Sequence, residues 1–305
     1  MPQQLSRIER RQRRIDMIRE RLHRSPVSDP LINDPRMQYN IGQSQRCSVH
    51  IPTFLEKNKG DPAIKVRATS SASPSCLLIR RLQNFSSKLR EHLLPRIQAA
   101  LRQAESHPNQ SSIRTTSDNE YPHHFDGNER DFVLLNKDLI YHHKLIRFHF
   151  TTYDVRRGTD IINPGTSRCN IMLLADQVDS ATDSSNSHRF LYARVLGAYH
   201  ANVIYTGPGM RDYEPRRFDF LWVRWFEVVN PESSGWEASK LDSVRFPPLC
   251  EEGSLGFVDP KDVLRGCHII PAFAKGRRHR NGVGVSHCAK DGNDYTLYYV
   301  VRYVN

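Results

Sequence analysis

The period of the apolar positions changes along the chain and divides it into segments. Over residues 1–25, Ile8, Ile15, Ile18 and Leu22 recur at heptad-like spacing, which predicts an amphipathic helix. Residues 26–75 have no period. Ser28-Asp29-Pro30, Asn33-Asp34-Pro35 and Ser70-Ser71-Ala72-Ser73-Pro74 punctuate them, so a disordered linker is expected. Helical spacing returns over 76–104 through Leu78, Leu82, Phe85, Leu89, Leu93, Ile97 and Leu101. Pro95 lies inside this run and is expected to kink or restart the helix, because it has no N–H to donate. The apolar stripe is expected to pack on the domain that follows. Residues 105–120 read as a second linker.

From Tyr121 onward the period shortens to two. Aromatic or β-branched runs at 132–135, 145–154, 170–175, 190–205, 218–228, 241–246 and 295–304 predict strands, with Gly, Pro, Asp and Ser clustered between them. Phe220, Trp222, Arg224 and Phe226 alternate with Leu221, Val223 and Trp225; both sets are largely apolar, so this strand is expected to be central and covered on both faces. Asp259 and Pro260 read as the cap and first turn of a short helix. The expected fold is mainly β: a small distorted antiparallel β-barrel over 121–305, preceded by amphipathic helices and disordered linkers.

Charge is distributed unevenly. The net charge of the 305 residues is +11, and residues 1–119 hold 21 Lys/Arg against 10 Asp/Glu; the remainder holds 23 of each. The basic excess therefore belongs to the N-terminal part, where Arg10, Arg11, Arg13 and Arg14 are candidate phosphate contacts or a nuclear localisation signal. A solvated helix face is the alternative. A second basic patch, Lys275-Gly276-Arg277-Arg278-His279-Arg280, reads as a loop that contacts phosphate backbones or is simply solvated. No apolar run is long enough to cross a membrane, and no secretory signal is expected. The six cysteines lie far apart without a CxxC pair, so neither a zinc ribbon nor a disulfide framework is expected, and the setting is read as reducing.

Candidate chemistry is sparse. Asp154, Asp160 and Asp176 sit near predicted strand ends, but no spacing marks them as a metal-binding triad; turn and capping roles are expected. Asp154, Arg156, Arg157 and Asp160 read as an ion-pair and turn network, with phosphate contact by Arg156 or Arg157 as the functional alternative. Cys267-His268, His287-Cys288, His123-His124 and His142-His143 are adjacent pairs whose members point to opposite faces of a strand, leaving one usable ligand each. No GxSxG elbow occurs, and Gly207-Pro208-Gly209 and Gly282-Val283-Gly284-Val285 read as turns. No catalysis and no cofactor are expected. Tyr199, Trp222, Trp225, Phe226 and Trp236 are candidate docking residues, because a cage of aromatic faces binds a methylated ammonium group on a peptide. Core packing is the default for the same residues.

Six motifs occur in order: His92-Leu93-Leu94-Pro95-Arg96; Phe150-Thr151-Thr152-Tyr153-Asp154-Val155-Arg156-Arg157 with Asp160 and Asn163-Pro164; Tyr192-Ala193-Arg194-Val195-Leu196-Gly197; Phe220-Leu221-Trp222-Val223-Arg224-Trp225-Phe226; Gly256-Phe257-Val258-Asp259-Pro260; and His268-Ile269-Ile270-Pro271-Ala272-Phe273-Ala274. From about residue 76 to the end, this series resembles the C-terminal region of Plavaka-type, CACTA-like transposon-derived proteins of mushroom-forming fungi. Full-length relatives carry an RNase H-like core and often a zinc finger, and neither pattern is present in these residues. The resemblance therefore implies a C-terminal accessory module or a degraded element copy. A second likeness, carried by Ala193–Gly197, Trp222–Phe226, Val263–His268 and Tyr298–Tyr303, is to bromo-adjacent homology domains, distorted barrels that dock on nucleosomes or proteins; it is a fold analogy. The expected function is a non-catalytic, nuclear interaction module. Its expected partners are DNA or a nucleosome, or a protein such as a histone tail, with no membrane. The alternatives are a transposase fragment with residual metal-dependent nuclease activity and a decayed copy without function.

Overall fold

The computed structural model describes residues 38–41, 46–64, 85–105, 129–151, 157–175, 188–207, 213–229 and 241–301. In chain order the strands are β1 (Tyr39–Asn40), β2 (Arg46–His50), β3 (Val133–His143), β4 (Ile146–Thr151), β5 (Arg157–Ile162), β6 (Asn170–Leu174), β7 (Phe190–Tyr205), β8 (Arg216–Trp225), β9 (Glu227–Val229), β10 (Asp242–Arg245), β11 (Leu255–Val258), β12 (Val263–Gly266), β13 (His268–Pro271) and β14 (Tyr298–Val301). The helices are α1 (Ile51–Lys57) and α2 (Phe85–Glu105). The fold is mainly β. The named strands pair antiparallel throughout, in sheets ordered β1-β4-β5, β13-β14-β10-β9 and β11-β8-β7-β3-β2, with β6 added to β7 and β12 to β6. Among the described residues none of these sheets closes into the expected barrel. No described helix is long and apolar enough to cross a membrane.

The sixteen residues of β7 organise the large sheet. Pairing with β8 occupies one edge over Ala193–Val203. Along the other edge β6 pairs with Phe190–Arg194 and β3 with Ala198–Tyr205. The register breaks between Val195 and Gly197, where the partner changes. Such a bulge bends a strand and raises its twist, letting one strand serve two neighbours. At Gly197 a Cβ would collide with the Tyr199 ring, so glycine lets that ring fold back over the strand.

Helix α2 lies on one face of this sheet. Phe85, Leu89, Leu93 and Ile97 are 0–3% exposed and pack with Leu135, Tyr199, Val203, Phe220 and Trp222. Their spacing is the stripe legible in the sequence, and the helix is one element across Pro95, with buried residues on both sides of it. On the opposite face, Tyr39, Ile146, Phe148 and Ile162 of the three-stranded sheet pack on Ala193, Val195, Leu221 and Val223. A third cluster joins the four-stranded sheet to the start of β7 through Tyr192, Phe226, Val244, Phe246, Ile269, Tyr298 and Val300.

The linker expected over 26–75 is corrected for residues 38–41 and 46–64. They form β1, β2 and α1, and Ile51, Ala63 and Ile64 are buried in the α2-side core. Strand β2 (Arg-Cys-Ser-Val-His) has mostly exposed side chains. Its position comes from its partner β3 rather than from its own pattern. Strand β3 also runs further than the expected 132–135. Lys137 and Asp138 take positive φ values of 58° and 51° and break the register between Leu135 and Ile140, which hides the alternation. The strand expected at 218–228 splits at Phe226; β8 stays in the large sheet and β9 joins β10.

Candidate nucleic-acid interface

After β13 the chain makes a 3₁₀ turn at Phe273–Lys275, loops outward and returns as β14. A ladder of backbone bonds fixes the two ends of this excursion. Ala272 N–H donates to the Leu297 carbonyl (2.9 Å), Thr296 N–H to Gly276 (3.1 Å) and Arg278 N–H to Asp294 (2.8 Å). Gly276, at φ 77°, occupies the left-handed region that ends the turn without strain. The loop is therefore positioned by strands of the four-stranded sheet, as recognition loops on rigid scaffolds are.

Side chains of the loop are sorted by charge. Lys275, Arg277, Arg278 and Arg280 are exposed. The Arg277 guanidinium lies 5.7 Å from the Tyr295 ring centroid, and Arg278 Nη1 donates to the Phe246 carbonyl (2.9 Å), so two of the four are held in place. Between residues 271 and 297 the only acids are Asp291 and Asp294, and both turn inward, 2% and 0% exposed. Asp291 accepts the N–H groups of Val285 (2.9 Å) and Ser286 (3.0 Å). Asp294 is bound by Arg194 Nη1 (2.7 Å) and Arg224 Nη1 (2.5 Å). Both guanidiniums sit over the Phe246 ring, at 4.3 and 4.0 Å. Burial works against charge on each. At Arg194 the Asp294 carboxylate and Tyr298 outweigh it and raise the pKa, whereas at Arg224 burial prevails and the pKa falls. The outward surface of the loop thus keeps its cations while its two carboxylates are buried beneath, Asp294 paired with arginines and Asp291 held by backbone N–H groups.

A further anchor comes from the N-terminal side. Asp61 accepts the Ser286 hydroxyl (2.5 Å), the Cys288 N–H (3.0 Å) and the Ala63 N–H (2.8 Å), which together hold its pKa below the usual carboxylate range against the opposing effect of burial. Lys290 reaches inward to the carbonyls of Pro164 (2.7 Å) and Leu196 (3.4 Å). Gly284 has room for no side chain: a Cβ would overlap Asp291 Oδ1 and come within 2.5 Å of the Gly292 nitrogen. Gly284→Ala is therefore expected to displace the loop and raise hydrogen exchange at the Val285 and Ser286 amides, with a stability loss of about 1–3 kcal/mol from overpacking. Unchanged exchange at both amides would contradict the fit.

The other sequence candidates fall elsewhere. Arg10, Arg11, Arg13, Arg14 and Trp236 lie outside the described residues, as do His123, His124, Asp154, Arg156 and Asp176. Tyr199 and Trp222 are 8% and 5% exposed in the α2-side core, Phe226 (7%) stacks on Phe246 in the third cluster, and Trp225 packs on the opposite side of the large sheet. The four described aromatics therefore do not form one cage; alternation along β8 sends Trp222 and Trp225 to opposite faces. The cavity beside Trp222, lined by Phe85, Phe257, Leu255 and Lys88, measures about 10 Å³, room for one water and not for a methylated ammonium group. Asp160 is engaged by Arg265 Nε (3.3 Å) and the Gly266 N–H (2.9 Å).

The thiols of Cys267 and Cys288 are pushed up by burial, Cys288 to about 12. His142 and His143 diverge as neighbours on a strand should. His142 packs toward Tyr199, whereas His143 Nε2 meets His200 Nδ1 at 2.6 Å on the other face, both rings nearly fully buried. Among the described residues no group of three or more His, Cys, Asp or Glu is placed to hold a metal ion. Sequence reading missed His200, Asp291 and Asp294; the signal for the last two was two acids closing an otherwise wholly basic stretch. Comparison of the chain with protein-family models, curated proteins and solved structures gives no match.

Proposed function

We propose that this protein is a non-catalytic, nucleic-acid-associated interaction module whose described part contacts phosphate backbones through Lys275, Arg277, Arg278 and Arg280. The observation that carries the reading is the charge sorting of the 271–297 loop, with four exposed cations and both acids buried. Phosphate contacts of this kind give affinity without sequence choice. Arg10, Arg11, Arg13 and Arg14 would add a second phosphate-binding segment and a nuclear address. The resemblance to transposon-derived proteins of mushroom-forming fungi supports a chromatin or DNA setting and an origin in a mobile element. Docking of a peptide on a single aromatic cage loses support, because the described aromatics are divided among three clusters.

The test is binding of the full chain to a short DNA duplex across a salt series, beside a Lys275→Gln/Arg277→Gln/Arg280→Gln variant. Each phosphate contact steepens the slope of log K against log salt by roughly 0.9, so the variant, with three contacts removed, is expected to be shallower by about 2.7 and to bind at least tenfold more weakly at low salt. Equal slopes would refute the loop as a phosphate contact. Magnesium-dependent cleavage of the duplex would overturn the non-catalytic reading and favour a transposase fragment.

A further inference from the structure

Phe273 opens the 3₁₀ turn that leads into the cationic run and is 67% exposed. Burying an aromatic ring is favourable, so a phenylalanine ring held out in water forgoes a substantial gain. The ring is not on a loose end. It belongs to the 3₁₀ turn fixed by the Lys275 N–H to Ala272 carbonyl bond (2.8 Å) and the Gly276 N–H to Phe273 carbonyl bond (3.1 Å). Its neighbour Tyr295 meets it edge-on at 5.3 Å between centroids, and Arg277 lies over that Tyr295 ring. An exposed aromatic face thus shares its turn with Lys275 and adjoins, through Tyr295, the Arg277 guanidinium.

A base-paired duplex offers phosphates to such a surface but no free base faces, whereas an unpaired strand offers both. Aromatic side chains beside a cationic track are the chemistry of single-strand recognition. We propose that Phe273 is a stacking platform for an unpaired base and that the loop prefers single-stranded nucleic acid to duplex. This inference rests on the phosphate-contact reading above. It adds to that reading a ligand class, single strands, and a residue whose contribution is independent of charge.

The experiment uses the full chain, a short pyrimidine deoxyoligonucleotide, its ribonucleotide counterpart and the deoxyoligonucleotide annealed to its complement, all at one salt concentration. Wild type is expected to bind both single strands more tightly than the duplex. Phe273→Ala is expected to weaken single-strand binding about tenfold to hundredfold and to change duplex binding less than twofold. Phe273→Trp should restore the single-strand affinity, which a merely structural role would not predict. The thermal midpoint of Phe273→Ala is expected to match wild type, since the ring is on the surface. If Phe273→Ala weakens all ligands equally, or none, the stacking platform is refuted; the Lys275→Gln/Arg277→Gln/Arg280→Gln variant, losing affinity for every ligand, would then still uphold phosphate contact. If that variant also binds like wild type, both the platform and the phosphate reading fall.

Discussion

Asp294→Asn is expected to lower the unfolding free energy by about 3–5 kcal/mol, the cost of removing one partner from a buried ion pair. The carboxylate is fully buried, and so is the guanidinium of Arg224, at 1% exposure. Asparagine keeps the size and one acceptor oxygen but removes the charge that compensates the buried Arg224 and the partly buried Arg194. Arg224 and Arg194, both over the Phe246 ring, would then lose the carboxylate that binds them both, leaving only the more distant Asp291 to act on Arg224. The loss should be much larger than for a surface pair such as Arg245 with Glu227, both about half exposed, where removal of a partner costs roughly 0–1 kcal/mol. Denaturant unfolding of Asp294→Asn, Arg224→Met and the double variant measures the coupling. The double variant is expected to recover part of the loss, because it deletes one of the stranded cations. Binding should respond as well: the Asp294 carbonyl holds the Arg278 N–H, so loosening this residue loosens the loop although no exposed charge changes. A loss below 1 kcal/mol would mean that the two arginines find other partners, and the account of a rigidly mounted loop would fail.

How much of this was legible beforehand depends on whether a residue's environment is set by its own pattern or by a distant partner. The α2 stripe from Phe85 to Ile97 and the run Phe190–Tyr205 carry their periods in the sequence, and both appear with the expected character. Strands β1, β2, β5 and β11–β13 are short, and β2 is polar; partner strands fix them, and no local pattern announces that. The barrel expectation assumed closure from strand number, but closure depends on which edges pair, and the bulge at Val195–Gly197 instead lets β6 and β3 share one edge of β7. At the candidate interface the basic run was visible. Its value as a surface was not, because Asp294 is bound by arginines about 70–100 positions earlier in sequence and Asp291 is turned inward by a loop backbone that no spacing encodes. The aromatic candidates failed for the opposite reason: alternation along β8 already placed Trp222 and Trp225 on opposite faces, which is incompatible with a single cage.

The His143–His200 pair is expected to make the fold acid-labile over a defined range. Burial and the nearby Arg217 push His143 from the ordinary 6.5 to about 4 and His200 to about 3, with Arg46 acting in the same sense on both and Asp219 opposing at His143. Their contact at 2.6 Å needs one ring to donate and the other to accept, so protonating the acceptor sets two N–H donors face to face and adds an imidazolium near Arg217. The unfolded chain takes up protons near pH 6.5 while the folded chain refuses them until about pH 4. Stability is therefore fully present above pH 6.5, falls as the pH drops from about 6.5 to about 4, and levels once the folded form also binds. The displacement at His143 is worth about 3 kcal/mol, and the pair together gives less than twice that because the two rings share one hydrogen bond. His92, buried beside Arg96 and also lowered to about 4, adds to the slope in the same sense. A comparison of wild type with His200→Gln isolates the pair: unfolding free energies measured from pH 7.5 to pH 4.5 should show a shallower fall in the variant, whatever its absolute stability at neutral pH. Parallel curves would mean that the rings titrate alike in both states and that the buried pair has no energetic role.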